Sequence, residues 1–157
     1  MAIRNILQHG EETLSKKSRP VSEFNEKLDL LLGDLLDTMK SKDGVGLAAP
    51  QVGVLRRVCI IDIGEGLIEL INPEIIDQKG RQEEIEGCLS SPGKYGKTVR
   101  PFWVKVKALD RRGNLYTVEG NDLMARALCH ELDHLDGIEF YTHVTEMIDP
   151  EEINAEH

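Results

Sequence analysis

Between Leu28 and Met39 the apolar positions Leu28, Leu31, Leu32, Leu35, Leu36 and Met39 recur at i, i+3 and i+4, the spacing of one helix face. The spacing predicts an amphipathic helix of about sixteen residues that ends near Lys42 and is closed by Asp43-Gly44. Beyond residue 56 the pattern changes. RVCIIDI, LIELINPEII, KTVRP, WVKVKALD and NLYTVEG are short, rich in β-branched residues and broken by Gly, Pro and Asn-Pro, which reads as strands. Arg111-Arg112-Gly113-Asn114 marks a hairpin turn between the last two. A second helix is predicted from Leu123 to about Asp136, capped by Asn121 or Asp122 and stopped by Gly137. Its Leu123, Ala127, Leu128, Leu132 and Leu135 make it largely buried. Helix, then strands, then helix is an α+β order rather than an alternation of βαβ units.

Composition narrows the setting. The chain has 157 residues, 40% hydrophobic and 30% charged, which suits one buried core. No repeat or linker divides it, so residues 1–157 are expected to form a single domain. The formal net charge is −9, and residues 146–157 hold five acids with no Lys or Arg, an expected acidic C-terminal tail. Such a balance offers no footprint for nucleic acid or an anionic membrane. No apolar run is long enough to span a bilayer, and the start MAIRNILQHG lacks the apolar core of a signal peptide, so a cytoplasmic location is expected. Three cysteines, Cys59, Cys88 and Cys129, are an odd, scattered set that argues against a disulfide framework.

The second helix carries His130-Glu131-Leu132-Asp133-His134. Histidines at i and i+4 lie about 40° apart around a helix, so both imidazoles reach one ion, and Glu131 lies beside them to take a proton from water. A catalytic ion needs a third protein ligand. The continuation to a third His fails, because Phe140 occupies that position and His143 is out of register. Glu151 and Glu152 lie in the acidic tail, and Cys129 points about 100° away from His130. Cys88 remains, in Glu86-Gly87-Cys88-Leu89-Ser90, whereas Cys59 lies in an apolar strand and reads as core. Three alternatives stay open at this point: an HExxH protease with an acidic third ligand, a scaffold with a structural metal, and Cys88 as a nucleophile with a His base. The loop GVGLAAPQVG contains Gly44, Gly46 and Ala49 in the register of a dinucleotide fingerprint, but it follows a helix and Pro50 keeps it from opening one. Its small residues instead suit close approach of an extended chain, with the Gln51 amide at its edge.

Taken in order, Gly44-Val45-Gly46-Leu47-Ala48-Ala49-Pro50-Gln51, Glu86 to Ser90 and His130 to His134 resemble the three motifs of the peptide deformylase family. The correspondence runs from about residue 3 to about 145. Two departures are minor: Cys129 stands where the family often has Gln, and His9-Gly10 where it often has a Pro-Asp-like pair. The resemblance implies an α+β fold in which antiparallel or mixed β-sheets pack around a central C-terminal HExxH helix, with an N-terminal amphipathic helix. It implies an enzyme that removes the N-formyl group from formyl-methionine at the start of new polypeptides, releasing formate. Cys88, His130 and His134 would then hold one divalent metal, Fe(II) by family habit, with Zn(II) or Ni(II) able to substitute. Glu131 would move the proton, and the Gln51 side chain with the Leu89 backbone N–H would stabilise the developing oxyanion. The peptide would lie along Gly44, Val45 and Gly46, with Leu123 and Ala127 lining the methionine pocket and Arg126 at its rim. The expected partners are N-formyl-methionyl peptides alone, with no nucleic acid and no membrane, and the expected state is a monomer.

Overall fold

Asn25 opens the first helix, α1 (Glu26–Ser41), by accepting hydrogen bonds from the Lys27 and Leu28 backbone N–H groups at 3.1 and 3.4 Å. These are donors that a helix start leaves without partners. The computed structural model describes residues 2–155. In it α1 occupies the predicted span, with Leu28, Leu31, Leu32, Leu35 and Met39 buried.

Among the described residues eight strands follow: β1 (Gly46–Ala48), β2 (Val58–Ile61), β3 (Ile68–Lys79), β4 (Gln82–Cys88), β5 (Ser91–Arg100), β6 (Trp103–Leu109), β7 (Leu115–Asn121) and β8 (Val144–Ile148). They form a five-stranded sheet in the order β1-β2-β3-β6-β7 and a three-stranded sheet in the order β4-β5-β8. Every pairing between these strands is antiparallel, and an isolated parallel bridge joins Arg19 to Arg56. The fold is α+β with antiparallel sheets.

The second helix, α2 (Leu123–Leu135), and α1 cover opposite faces of the larger sheet. In β2, Cys59 and Ile61 join the cluster around α2, while Val58 and Ile60 join the cluster around α1. A strand covered on both faces has no solvent side, which is why it reads as an unbroken apolar run. Cys59 is core, as its surroundings in the sequence suggest.

The C-terminal end of α2 is held tightly. Gly137 takes a φ of 75°, its N–H donates to His134 O, and the Ile138 N–H donates to Asp133 O. This pair of bonds satisfies two of the carbonyls that a helix end leaves open. The Ser18 N–H donates to Leu135 O, and Arg57 pairs with Asp136 at 2.8 Å, a cation where the helix dipole is negative. At the other end Asp122 sits at the predicted cap position, yet its side chain makes no capping bond. With a φ of 53° it turns to the Arg126 guanidinium one turn on, at 2.8 Å.

Several segments depart from the sequence pattern. Gly46 to Val52, expected as loop, forms β1 and a 3-10 turn over Ala49–Val52. β4 was not legible because Glu83 and Glu84 face solvent while Gln82 and Glu86 carry the buried positions, so no apolar alternation survives. β5 begins at Ser91, well before KTVRP. Residues 146–157 are not a free acidic tail throughout: Glu146 to Ile148 complete β8 against Tyr95, Gly96 and Lys97, and Pro150–Ala155 form a short helix, α3. The last two positions of that stretch lie outside the described residues.

A Cβ on residue 137 would lie 2.6 Å from Ser15 O, in a backbone conformation that side chains resist. Gly137→Ala should therefore destabilise the fold by about 1–3 kcal/mol, the scale of an overpacked buried site. A urea midpoint unchanged from wild type would contradict this account of the α2 terminus.

Candidate metal centre

Strand β4 and helix α2 meet at their polar faces. Glu86 and Cys88, two residues apart on a strand, point to the same side, and that side faces His130 and His134, one turn apart on α2. The result is a convergence of three ligand-type atoms: one from each of Cys88, His130 and His134, all within 4.8 Å of one another. The two imidazole Nε2 atoms lie 3.3 Å apart, and Cys88 Sγ lies 3.4 Å from His134 Nε2. Among the described residues this is the one His, Cys, Asp and Glu set close enough to share an ion.

The donor chemistry fits a divalent cation. His130 Nδ1 lies 2.8 Å from Glu86 Oε1, and an ionised carboxylate can only accept, so Nδ1 carries the proton and Nε2 presents its lone pair to the cluster. Glu86 is ionised because burial, which opposes charge, is outweighed by His130 and Arg100, which hold its pKa well below the usual carboxylate range. Arg100 grips it in a bidentate fork at 2.9 and 2.9 Å, the Thr98 hydroxyl donates to it, and a third Arg100 nitrogen reaches Asp133 at 2.6 Å. Burial likewise opposes charge on His130, but Cys88 and Glu86 outweigh it and hold its pKa well above the usual imidazole value. The neighbours that favour a proton on that ring favour a metal cation beside it. Burial, with His130 next to it, pushes His134 well below, which keeps it neutral as a ligand must be. One thiol and two imidazoles suit zinc, iron or nickel and leave coordination positions for water or substrate.

Glu131 stands beside the cluster. It is buried, its Oε1 has no hydrogen-bond partner among the described groups, and burial raises its pKa to about 7. Gly46 makes room for it, since a Cβ there would lie 2.6 Å from Glu131 Oε2.

The cluster opens into a cleft of about 390 Å³. On one side lie Gly44, Val45, Gly46 and Gln51, on another Ile85 to Leu89, and on the α2 side Leu123, Arg126, Ala127, His130 and Glu131. Eleven of the twelve residues singled out from the sequence thus line a single cavity, and the twelfth, His134, is buried behind it. β1 and β4, which flank the cleft, are each the last strand of their sheet, so each has a side without a strand partner among the described residues. The Gln51 amide reaches inward, with Nε2 3.1 Å from Ser90 Oγ and 3.6 Å from Cys88 Sγ. Arg126 bonds Gln82 at 2.7 Å as well as Asp122.

Other candidates fall away. Cys129 is buried and its thiol is pushed up to about 11 by that burial. His143 Nε2 is 3.0 Å from the Asp133 carboxylate, close enough for an ion pair though not aligned as a hydrogen bond, and it stands outside the ligand set. Sequence reasoning missed Glu86 and Arg100 as parts of the site. Only the two-residue spacing of Glu86 from Cys88 signalled the first, and only once that segment is known to be a strand.

A sulfur and two imidazoles around one point, a buried carboxylate beside them and an open cleft in front define a metallohydrolase-type site. The polypeptide deformylase family model matches residues 3–149. A peptide deformylase of Caldanaerobacter subterraneus is 54% identical over 99% of this chain and 98% of its own length, and one of Acetivibrio thermocellus is 55% identical over 98% and 90%. The crystal structure of a peptide deformylase from Legionella pneumophila superposes with a TM-score of 0.88 at 45% identity, over 91% of this chain and 86% of that one. The chain belongs to the polypeptide deformylase family. It is a metal-dependent hydrolase that removes the N-formyl group from the formyl-methionine of newly made polypeptides, releasing formate.

The Glu86 network also sets a pH dependence. Its pKa is depressed in the fold, so its stabilisation is present above the unfolded glutamate value of about 4.3 and is lost as pH falls through the folded value. In urea titrations of metal-free protein, stability should drop from pH 5 to pH 3. Glu86→Gln should show lower stability at pH 5 and a shallower drop below it; equal slopes would remove Glu86 from the acid response.

Proposed function

We propose that Cys88, His130 and His134 hold the catalytic ion, Fe(II) in the cell, with Zn(II) or Ni(II) able to take its place. The observation that carries the reading is the convergence of those three side chains within 4.8 Å beside buried Glu131. When bound, a divalent ion supplies Lewis acidity and makes hydroxide available near neutral pH. Glu131 accepts the proton given up by the attacking water and returns it to the nitrogen of the departing amine. Its pKa of about 7 suits both halves of that exchange at neutral pH. The Gln51 Nε2–H and the Leu89 backbone N–H stabilise the negative charge that grows on the formyl oxygen. Glu86 keeps the His130 ring in one tautomer and orientation, the usual service of a carboxylate behind a ligating imidazole.

The substrate peptide lies extended between the free sides of β1 and β4, pairing its main chain with Gly44, Val45 and Gly46 and with the segment before Cys88. Leu123, Ala127 and Val45 receive the methionine side chain, and Arg126, tethered to Gln82 and Asp122, closes the rim. The arrangement of α2 between its sheet and β4 serves to present the HExxH face to that groove. Residues 1–157 act as one catalytic domain, as a monomer in the cytoplasm. Among the described residues no helix is long and apolar enough to cross a membrane.

Cys88→Ala should lower bound metal well below one ion per chain and abolish formate release, while Cys59→Ala and Cys129→Ala keep the ion. Glu131→Gln should keep the ion and lose about a hundredfold or more in kcat, the scale of a lost general base. A Cys88→Ala protein with full metal would overturn the ligand assignment, and a metal-free Glu131→Gln protein the proton-transfer role.

Selectivity follows from how tightly the site closes on the reacting carbon. A formyl carbon carries only hydrogen, so Gly46, Gln51 and Leu89 surround it closely. An acetyl methyl would push the carbonyl off its donors, and misplacement on the order of 1 Å costs about a hundredfold. At equal metal content, kcat/KM for formyl-Met-Ala-Ser should exceed that for acetyl-Met-Ala-Ser by at least that factor. Comparable values would contradict this picture of the site.

A further inference from the structure

We propose that Ser90 is a positioning residue: its buried hydroxyl fixes the rotation of the Gln51 amide so that one Nε2–H is held toward the cleft. The proposal rests on the reading of Gln51 as an oxyanion donor.

A glutamine amide has two donors and one carbonyl, and its terminal torsion is broad, so its direction must be imposed from outside. Here both ends are held. The Ala48 backbone N–H donates to Gln51 Oε1 at 3.0 Å, which settles which end of the amide carries the nitrogen. Nε2 then donates to Ser90 Oγ at 3.1 Å. One of its two hydrogens is taken up by the serine, and the other is directed to Cys88 Sγ, 3.6 Å away, on the side where the cleft opens. Gln51 is 1% exposed and Ser90 is fully buried, so bulk water does not compete for the bond.

The backbones of the two residues share a frame as well. Leu89 and Ser90 form the two-residue connection between β4 and β5, where Cys88 pairs with Ser91. On the far side, the Leu7 N–H donates to Gln51 O at 2.7 Å and the His9 N–H donates to Ser90 O at 2.8 Å. One short N-terminal segment therefore ties both backbones, and the hydroxyl-to-amide bond spans a gap of set width. Ser90 touches neither substrate nor ion in this account. It acts through Gln51, and it couples the direction of that amide to the turn that carries the Leu89 N–H.

The experiment is a double-mutant cycle on the metal-loaded full chain. Values of kcat and KM for formyl-Met-Ala-Ser are measured for wild type, Ser90→Ala, Gln51→Ala and the double variant at equal metal content. Gln51→Ala should lose about a hundredfold or more in kcat, the scale of a missing oxyanion donor. Ser90→Ala should lose about tenfold or more in kcat, a fraction of that scale, with KM nearly unchanged. It should add nothing in the Gln51→Ala background, because it has no other route to the reaction. In the zinc-loaded protein, the Gln51 side-chain amide proton that faces Ser90 should shift upfield in the NMR spectrum of Ser90→Ala. Ser90→Cys, which fills the space and keeps a weak acceptor, guards against a folding defect and should fall between wild type and Ser90→Ala.

Wild-type kcat in both Ser90 variants, beside a costly Gln51→Ala, overturns the positioning role and leaves the oxyanion reading standing. An equal Ser90→Ala loss in both backgrounds overturns it too, since the effect would not pass through the amide. A neutral Gln51→Ala overturns the oxyanion reading and this proposal with it.

Discussion

The buried pairing of Glu86 with Arg100 is the constraint on which the rest of the centre depends. A carboxylate with 8% of its side chain exposed persists as a charge only if it is matched where it sits, and leaving such a pair half broken costs about 3–5 kcal/mol. Glu86 belongs to β4, Arg100 and Thr98 to β5, and His130 and Asp133 to α2, so the network is also the seam that joins the smaller sheet to the helix. Cys88 stands two residues from Glu86. The distance between thiol and imidazoles is thereby set by an ion pair that lies outside the three-residue cluster.

Small residues do the complementary work. Gly46 leaves the space that the Glu131 carboxylate fills, and a Cβ on Gly44 would lie 2.7 Å from the Leu89 side chain. At Gly46 a carboxylate is thus packed where an ordinary strand would carry a methyl group. The loss of apolar burial at β1 is made good behind it, where Leu47 and Ala48 contribute to the two cores on either side of the sheet.

The parts of this fold that periodicity governs were legible in the sequence. The α1 leucines, the buried run of β2, the Gly137 stop of α2 and the two-histidine motif all follow from spacing that local geometry enforces. β4 and β8 were hidden because neither alternates: in β4 Gln82 and Glu86 are buried while Glu83 and Glu84 are exposed, and in β8 the consecutive Thr145, Glu146 and Met147 are all exposed. The cysteine and two histidines of the cluster could be picked out because each is a chemically rare type in a short motif. Glu86, Arg100 and Ser90 are ordinary polar residues whose meaning arises only from strand register and burial. Asp122 shows the reverse case: a residue typical of a cap stands in the right place, and a nearby guanidinium outcompetes the helix for its carboxylate.

The distance in sequence between the two halves of the cluster has a consequence for how the chain comes to life. Cys88 and His134 are 46 residues apart, and the bonds from Leu7 and His9 bring in the start of the chain as well. No shorter stretch contains the set, so a growing or partly folded chain presents scattered donors rather than a trap for passing ions. On the proposed ligand assignment, the three-donor set is complete only when the smaller sheet has docked on α2. An ion held by that proposed set would stabilise the finished arrangement by mass action. In such a molecule the supply of a cofactor and the durability of the fold are two readings of one equilibrium.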